Sequence, residues 1–242
     1  SIFAASIVIY KTLIEEIGID IISPKIVLGH SLGEYSALVA NNVLSLSDAS
    51  HLIKIRGNLM NLAIKPNFSG MAAIIGKDAE FINNVIKNNN LNIEIANDNS
   101  PMQVVVSGLM EDISNSEDLF ITQGVKKFIK LNVSAAFHSK YMLNAQNELK
   151  IEISKVKFSN SKIPIISNFN AKINSSPDEI INSLINQMAN KVKWVDSIKT
   201  LENSQENSII EIGPGKVLSG LISRITKKFD IKSIEKIDDL NK

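Results

Sequence analysis

Gly29-His30-Ser31-Leu32-Gly33 sets a serine hydroxyl between two glycines at G-x-S-x-G spacing. Three fixed positions in five recur by chance, so the context carries the weight. The apolar run Ile26-Val27-Leu28 comes before the motif and a helical pattern follows it. A strand, a sharp turn and a helix in that order form a nucleophile elbow, in which the turn pushes the serine hydroxyl clear of the backbone. Small residues at 29 and 33 let neighbouring chain pass closely. The free N–H groups of the following helix, that of Leu32 first, can stabilise an oxyanion. The plainer reading is a Gly-rich turn whose serine only caps the helix.

A serine nucleophile needs a base, and histidine is the usual one. The chain has three: His30, His51 and His138. His30 adjoins Ser31, so its side chain points elsewhere and reads as a wall or packing residue. His51 lies on a helix predicted over 47–64, off the face that carries Leu52, Leu59 and Met60. His138 ends the loop Val133-Ser134-Ala135-Ala136-Phe137-His138 just before a long helix, a plausible seat for a base. Arg56 is the other residue that demands a partner. It stands four after Leu52, three after Ile53, three before Leu59 and four before Met60, on the core-facing stripe. A buried guanidinium without a partner costs several kcal/mol. It meets an internal carboxylate such as Glu34, snorkels to the surface, or clamps a substrate carboxylate.

Composition narrows the field. With 26 basic and 25 acidic side chains the net charge is +1, which gives no reason to expect nucleic acid or an anionic membrane as partner. Cysteine is absent, so disulfides, thiolate catalysis and cysteine-ligated metals are excluded. The opening SIFAASIVIY breaks at Lys11, too short to span a bilayer and without a basic lead-in. A cytoplasmic, monomeric protein is expected. Because the chain opens on Ser1 inside a helical pattern, an N-terminal part is expected to be missing.

The elements that must position these residues follow from periodicity. A helix over 2–17 is apolar on most sides and is expected to be central. A buried parallel strand over 26–28 leads to helices over 33–41 and 47–64, the second capped by Ser47. Residues 66–132 have another rhythm: strand 71–75, helix 78–87, strands 91–96 and 103–107, helix 111–121 and strand 126–131. That βαββαβ order is ferredoxin-like, with Asn97-Asp98-Asn99-Ser100-Pro101 as the turn between its middle strands. The α/β pattern then resumes with helix 139–155, strand 163–167, helices 177–189 and 194–203, strand 209–212, a helix from 216 and strand 231–234. The fold class is α/β. Residues 1–65 and 133–242 form the catalytic part, and 66–132 an insertion.

Seven stretches in this order make a more specific signature than the elbow alone. They are GHSLGEYSALV at 29–39, RGNLM at 56–60, MAAIIG at 71–76, NDNSPMQVVVSG at 97–108, VSAAFHS at 133–139, QMANKVKW at 187–194 and EIGPGKVLSGL at 211–221. Through them the chain, from residue 1 to about 235, resembles the malonyl-CoA:acyl carrier protein transacylases. The resemblance implies an α/β-hydrolase-like large subdomain with a parallel sheet and a ferredoxin-like insertion. It implies Ser31 as nucleophile, His138 as base, the Leu32 N–H in the oxyanion hole and the Gln187 carbonyl orienting the imidazole. It makes Arg56 the malonyl-carboxylate ligand and sets His30, Met60, Phe137 and Asn99 around the substrate. Malonyl-CoA and acyl carrier protein would be the partners, with the CoA thioester as substrate and no metal or bound cofactor.

The departures are informative. The family opens with a strand and a Gly-Gln-Gly-Ser-Gln loop whose glutamine supplies a second oxyanion N–H, and neither is present, so this chain alone is expected to be impaired. Lys191 stands where proline is common, and Ala135 where glycine is. One rival is an esterase or thioesterase, which needs an acidic triad member between serine and histidine; Asp98, Asp112 and Asp118 fall there. Another is a non-catalytic module that only binds carrier protein.

Overall fold

The computed structural model describes residues 1–18, 22–65, 67–236 and 238–239. Helix α1 (Ile2–Ile17) is capped by the Ser1 hydroxyl, which accepts the Ala4 N–H at 3.3 Å. It buries Phe3, Ile7 and Leu13 but leaves Ile2 and Val8 exposed. It therefore lies against the body on one side and is not central. An all-round apolar pattern does not say which face is covered.

Strand β1 (Val27–Leu28) leads through the elbow into α2 (Leu32–Ala40), and α3 (Leu46–Leu62) follows. The cap of α3 is Ser45, not Ser47. Ser45 has extended backbone, φ −66° and ψ 152°, and its hydroxyl accepts the Asp48 N–H at 3.0 Å. Ser47 lies inside the helix, exposed.

The middle of the chain holds β2 (Ser69–Ile75), α4 (Ala79–Asn88), β3 (Ile93–Ser100), β4 (Gln103–Leu109), α5 (Met110–Thr122) and β5 (Lys127–Lys130). The four strands form an antiparallel sheet in the order β3-β4-β2-β5, a ferredoxin-like arrangement. Alternation gives it two covered faces. Ala72, Ile74, Val104 and Val106 pack with Ile82, Ile113 and Phe120 from the helices. Met71, Ala73, Ala96 and Val105 form the opposite face, against which Leu131, Val133 and Phe137 pack.

Residues 97–100 are not a turn. They extend β3 to Ser100, with register shifts between Ile95 and Asn97 and between Asp98 and Ser100. The turn shrinks to Pro101-Met102. The polar run stays extended because a distant segment satisfies its backbone: Asp98 N–H donates to the Val192 carbonyl at 3.0 Å, and Val192 N–H to the Ala96 carbonyl at 2.8 Å. Local turn chemistry lost to a tertiary pairing.

The rest comprises a 3-10 turn at Lys140–Met142, α6 (Leu143–Ile153), β6 (Ile165–Ile166), β7 (Ile173–Asn174), α7 (Pro177–Gln187), α8 (Trp194–Glu202), β8 (Ser208–Ile212), α9 (Val217–Ile225) and β9 (Asp230–Ile234). The helix expected from 139 starts regular α geometry only at Leu143. β7 was not expected, since two residues show no period. β1 pairs β6 in parallel, β6 pairs β7 antiparallel, and β8 pairs β9 in parallel. The parallel strands thus stand in two small sheets among the described residues. The main core, with Tyr35, Leu38, Leu52, Met142 and Leu149, joins α1, α2, α3, α6 and α7. The first subdomain boundary, at 65–66, falls on Pro66, outside the described residues. Among the described residues no helix is long and apolar enough to cross a membrane.

The capping assignment is open to measurement. Ser45→Ala is expected to lower unfolding stability by about 1 kcal/mol, and Ser47→Ala to leave it within about 0.5 kcal/mol. Urea denaturation of the two variants checks this, and the reverse order would restore Ser47 as the cap.

Candidate active site

The elbow is built from backbone that few residues tolerate. Ser31 has φ 50° and ψ −103°. A β-carbon on Gly29 would lie 2.1 Å from the carbonyl carbon and oxygen of Gly33, so residue 29 must be glycine. The expectation for Gly33 was the same, but a β-carbon there meets nothing within 4 Å. Ser31 precedes α2 without capping it through its side chain. Its hydroxyl is left for other partners, which argues against the plain capping reading. Leu32 opens α2, so its N–H has no intrahelical acceptor.

The Ser31 hydroxyl lies 2.8 Å from Nε2 of His138. Nδ1 of His138 lies 2.9 Å from the Gln187 carbonyl. That carbonyl can only accept, so Nδ1 carries the proton and Nε2 is left to accept from the serine. His138 is buried, with φ 56°. Burial pushes its pKa down to about 3, helped by the Arg56 charge and opposed by the Gln187 carbonyl. The imidazole is therefore neutral at physiological pH, the form whose Nε2 lone pair is free to accept from the serine.

Arg56 Nη2 donates to the same serine oxygen at 2.9 Å and to Gln187 Oε1 at 3.2 Å. The arginine is buried, which rules out a snorkelling arm, and its Nε has no hydrogen-bond partner among the described residues. The Tyr35 ring lies 5.7 Å from the guanidinium carbon, a cation–π contact. No direct ion pair to Glu34 forms. Ion pairs among the described residues lie at the surface, and none includes Arg56. Burial works against the charges of both: it lowers the Arg56 pKa and raises that of Glu34.

The other expected site residues are distributed as follows. His30 Nε2 and Asn99 Oδ1 are 2.8 Å apart, and the His30 ring sits 5.3 Å from that of Trp194. Burial lowers the His30 pKa, against the raising effect of Asn99. Asn99 thus ties the elbow to the edge strand β3. Phe137 packs against both the main core and the inner face of the four-stranded sheet. Met60 is buried in the main core, one turn beyond Arg56 on α3. His51 is exposed.

Two residues at the centre were missed. Asn168 clamps both sides of the elbow: Oδ1 accepts the Ser31 N–H at 2.6 Å, and Nδ2 donates to the Gly29 carbonyl at 2.7 Å. Glu34 was considered only as an arginine partner. Its Oε2 accepts from the Asn168 N–H at 3.1 Å and from Gln187 Nε2 at 2.7 Å. The one signal for Asn168 is its place just after an apolar strand, where sites gather in parallel sheets. Only the pairing of β1 with β6 reveals that it faces Ser31. His138 Nδ1 meets the Gln187 carbonyl, and among the described residues no carboxylate takes the place that the third member of an esterase or thioesterase triad needs.

Comparison with known proteins agrees with this geometry. The acyl transferase domain family matches residues 1–242. The malonyl CoA-acyl carrier protein transacylase of Bacillus subtilis (strain 168) is 38% identical over 211 residues, 86% of this chain and 66% of the relative. The chain thus spans about two thirds of that relative's length. The acyl-carrier-protein S-malonyltransferase of Burkholderia pseudomallei 1710b superposes with a TM-score of 0.94 at 32% identity, covering 99% of this chain and 78% of that one. A malonyl-transacylase solved in complex with its type II PKS acyl-carrier protein gives a TM-score of 0.93 at 32% identity, over 99% and 77%. With the match running through the elbow, the arginine helix, the four-stranded sheet and the histidine loop alike, the chain belongs to the acyl transferase domain family.

Proposed function

We propose that this chain carries the malonyl-transfer chemistry of its relatives, moving a malonyl group from malonyl-CoA to the pantetheine thiol of acyl carrier protein. One observation carries the reading. A single serine oxygen has a neutral imidazole on one side and a buried guanidinium on the other. The first makes it a nucleophile, and the second supplies the cation that a carboxylate-bearing acyl group needs.

In the first half-reaction His138 Nε2 takes the Ser31 proton as Oγ bonds to the thioester carbonyl carbon. The Leu32 N–H faces the oxygen that becomes negative. Collapse breaks the carbon–sulfur bond, and His138 returns the proton to the departing CoA thiolate. A malonyl-serine ester remains, its distal carboxylate paired with Arg56. In the second half-reaction His138 deprotonates the pantetheine thiol of the carrier. The sulfur attacks the ester, and the proton passes to Ser31 as its carbon–oxygen bond breaks. Each proton leaves and returns through one imidazole, so the scheme uses no metal and no cofactor beyond the CoA thioester itself. Asn99, His30, Met60 and Phe137 would wall the acyl pocket. The proposed setting is cytoplasmic.

Three outcomes test the reading in the complete protein that carries this sequence. Ser31→Ala is expected to abolish the malonyl adduct seen by mass spectrometry after incubation with malonyl-CoA, with turnover down on the order of 10⁶-fold; an adduct on that variant would exclude Ser31. Arg56→Ala is expected to erase the preference for malonyl- over acetyl-CoA, a change on the order of 10⁴. Equal losses on both substrates would make Arg56 structural. The third concerns pH. Acylation kcat/KM is expected to stay level from pH 7 to 5, because His138 protonates only near 3. A histidine with the usual value of about 6.5 would lose about tenfold by pH 5.5. The unfolded chain takes up a proton on this histidine between about 6.5 and 3 that the folded chain refuses. His138 therefore stabilises the fold above pH 6.5, and that contribution fades as pH falls toward 3.

A further inference from the structure

The Glu34 carboxylate makes no hydrogen bond to Ser31 Oγ or to His138, yet it is fully buried and its backbone N–H meets the Ser31 carbonyl at 3.1 Å. Two N–H groups converge on one of its oxygens. Gln187 Nε2 donates to Oε2 at 2.7 Å and Asn168 N–H at 3.1 Å; the buried Ser167 side chain also favours the carboxylate, while Oε1 has no partner at hydrogen-bond distance among the described residues. Each donor belongs to a residue that holds the reacting groups. Asn168 grips the Ser31 N–H and the Gly29 carbonyl. Gln187 uses every polar atom of its amide: Nε2 also donates to the Ser31 carbonyl at 3.1 Å, and Oε1 accepts from Arg56. Its main-chain carbonyl meets His138. With acceptors around Nε2 and a guanidinium at Oε1, the amide has one workable orientation.

From these contacts we infer that Glu34 is a positioning residue of the acyl transfer, acting through Gln187 and Asn168 as the shared acceptor that fixes the serine elbow, the arginine and the imidazole relative to one another. Oε2 is the working atom and the carboxylate charge is not. The inference rests on the malonyl-transfer reading. Where Glu34 fixes geometry, its loss falls on the rate of the bound complex, because misplacing reacting groups by about 1 Å can cost 10²-fold.

Glutamine is isosteric and keeps an oxygen at the Oε2 position, so it separates the acceptor from the charge. The experiment measures single-turnover acylation by malonyl-CoA and acetyl-CoA in the complete protein, with melting curves for each variant. Glu34→Ala is expected to lose about 10²-fold in kcat with little change in KM, and to discriminate less between the two substrates. Glu34→Gln is expected to recover kcat to within about threefold of the parent. A folded Glu34→Ala variant with parental kcat, or a folded Glu34→Gln variant as slow as Glu34→Ala, overturns the inference. The second result would assign the role to charge. If Glu34→Ala does not fold, Gln187→Met cuts the relay at its midpoint while sparing the carbonyl that meets His138. It is expected to lower kcat by about tenfold or more, and an unchanged kcat overturns the inference. If the parent forms no malonyl-serine, the malonyl-transfer reading itself fails, whatever the variants do.

Discussion

The left-handed backbone at Ser31 is the constraint on which the site depends. A non-glycine residue at φ 50° costs on the order of 1–3 kcal/mol and persists only where its surroundings over-determine it. Three contacts do so. Gly29 has no β-carbon and lies against Gly33, Asn168 holds the Gly29 carbonyl and the Ser31 N–H, and Gln187 holds the Ser31 carbonyl. With both backbone ends pinned, the hydroxyl faces the imidazole instead of folding back to cap α2. His138 is likewise left-handed, at φ 56°, so both members of the Ser31–His138 hydrogen bond are presented by strained backbone.

Burying an arginine and a glutamate in one site usually produces a salt bridge, and here it does not. The Gln187 amide stands between them, accepting from one and donating to the other. A direct pair would satisfy the guanidinium with an internal carboxylate and leave little for a ligand. With a neutral amide interposed, the Glu34 charge favours the Arg56 cation only from a distance, an effect on stability separate from positioning, and the guanidinium donors are not taken up by a carboxylate. Burial of an arginine with an orphaned Nε is costly for folding alone. Under the malonyl-transfer reading proposed above, a ligand carboxylate would offset that cost.

The candidate reacting groups were more legible in the sequence than their supports. Ser31 was legible because strand, glycine and helix signals are all local, and Arg56 because a cation on an apolar stripe breaks a period that any helix must obey. The Gln187 carbonyl came from resemblance alone. Asn168 and the double acceptance at Glu34 were not legible, since both depend on β6 lying beside β1, a pairing set by tertiary packing. Ser45 and Ser47 illustrate the local limit. Both are good caps by type, and only the backbone angles decide between them. The stretch from Asn97 to Ser100 failed for the opposite reason: its residues favour a turn, but hydrogen bonds to Val192 hold it extended.

The four-stranded sheet also helps to position the candidate site. The loop that presents His138 has little regular structure of its own. The sheet supplies what the loop lacks: the Ser69 hydroxyl on β2 accepts the Ala136 N–H at 3.1 Å, and the Ser107 hydroxyl on β4 donates to the Phe137 carbonyl at 2.6 Å. Both serines are buried, where an unpaired hydroxyl would be costly, so neither tolerates a displaced loop. Meanwhile β3 reaches the other side of the site through Asn99 to His30. One sheet thus holds the His138 loop from behind and the elbow from the side. The distance between Ser31 and His138 is set jointly by two structural units far apart in sequence, so a shift of the sheet against the body would change it before disturbing either core.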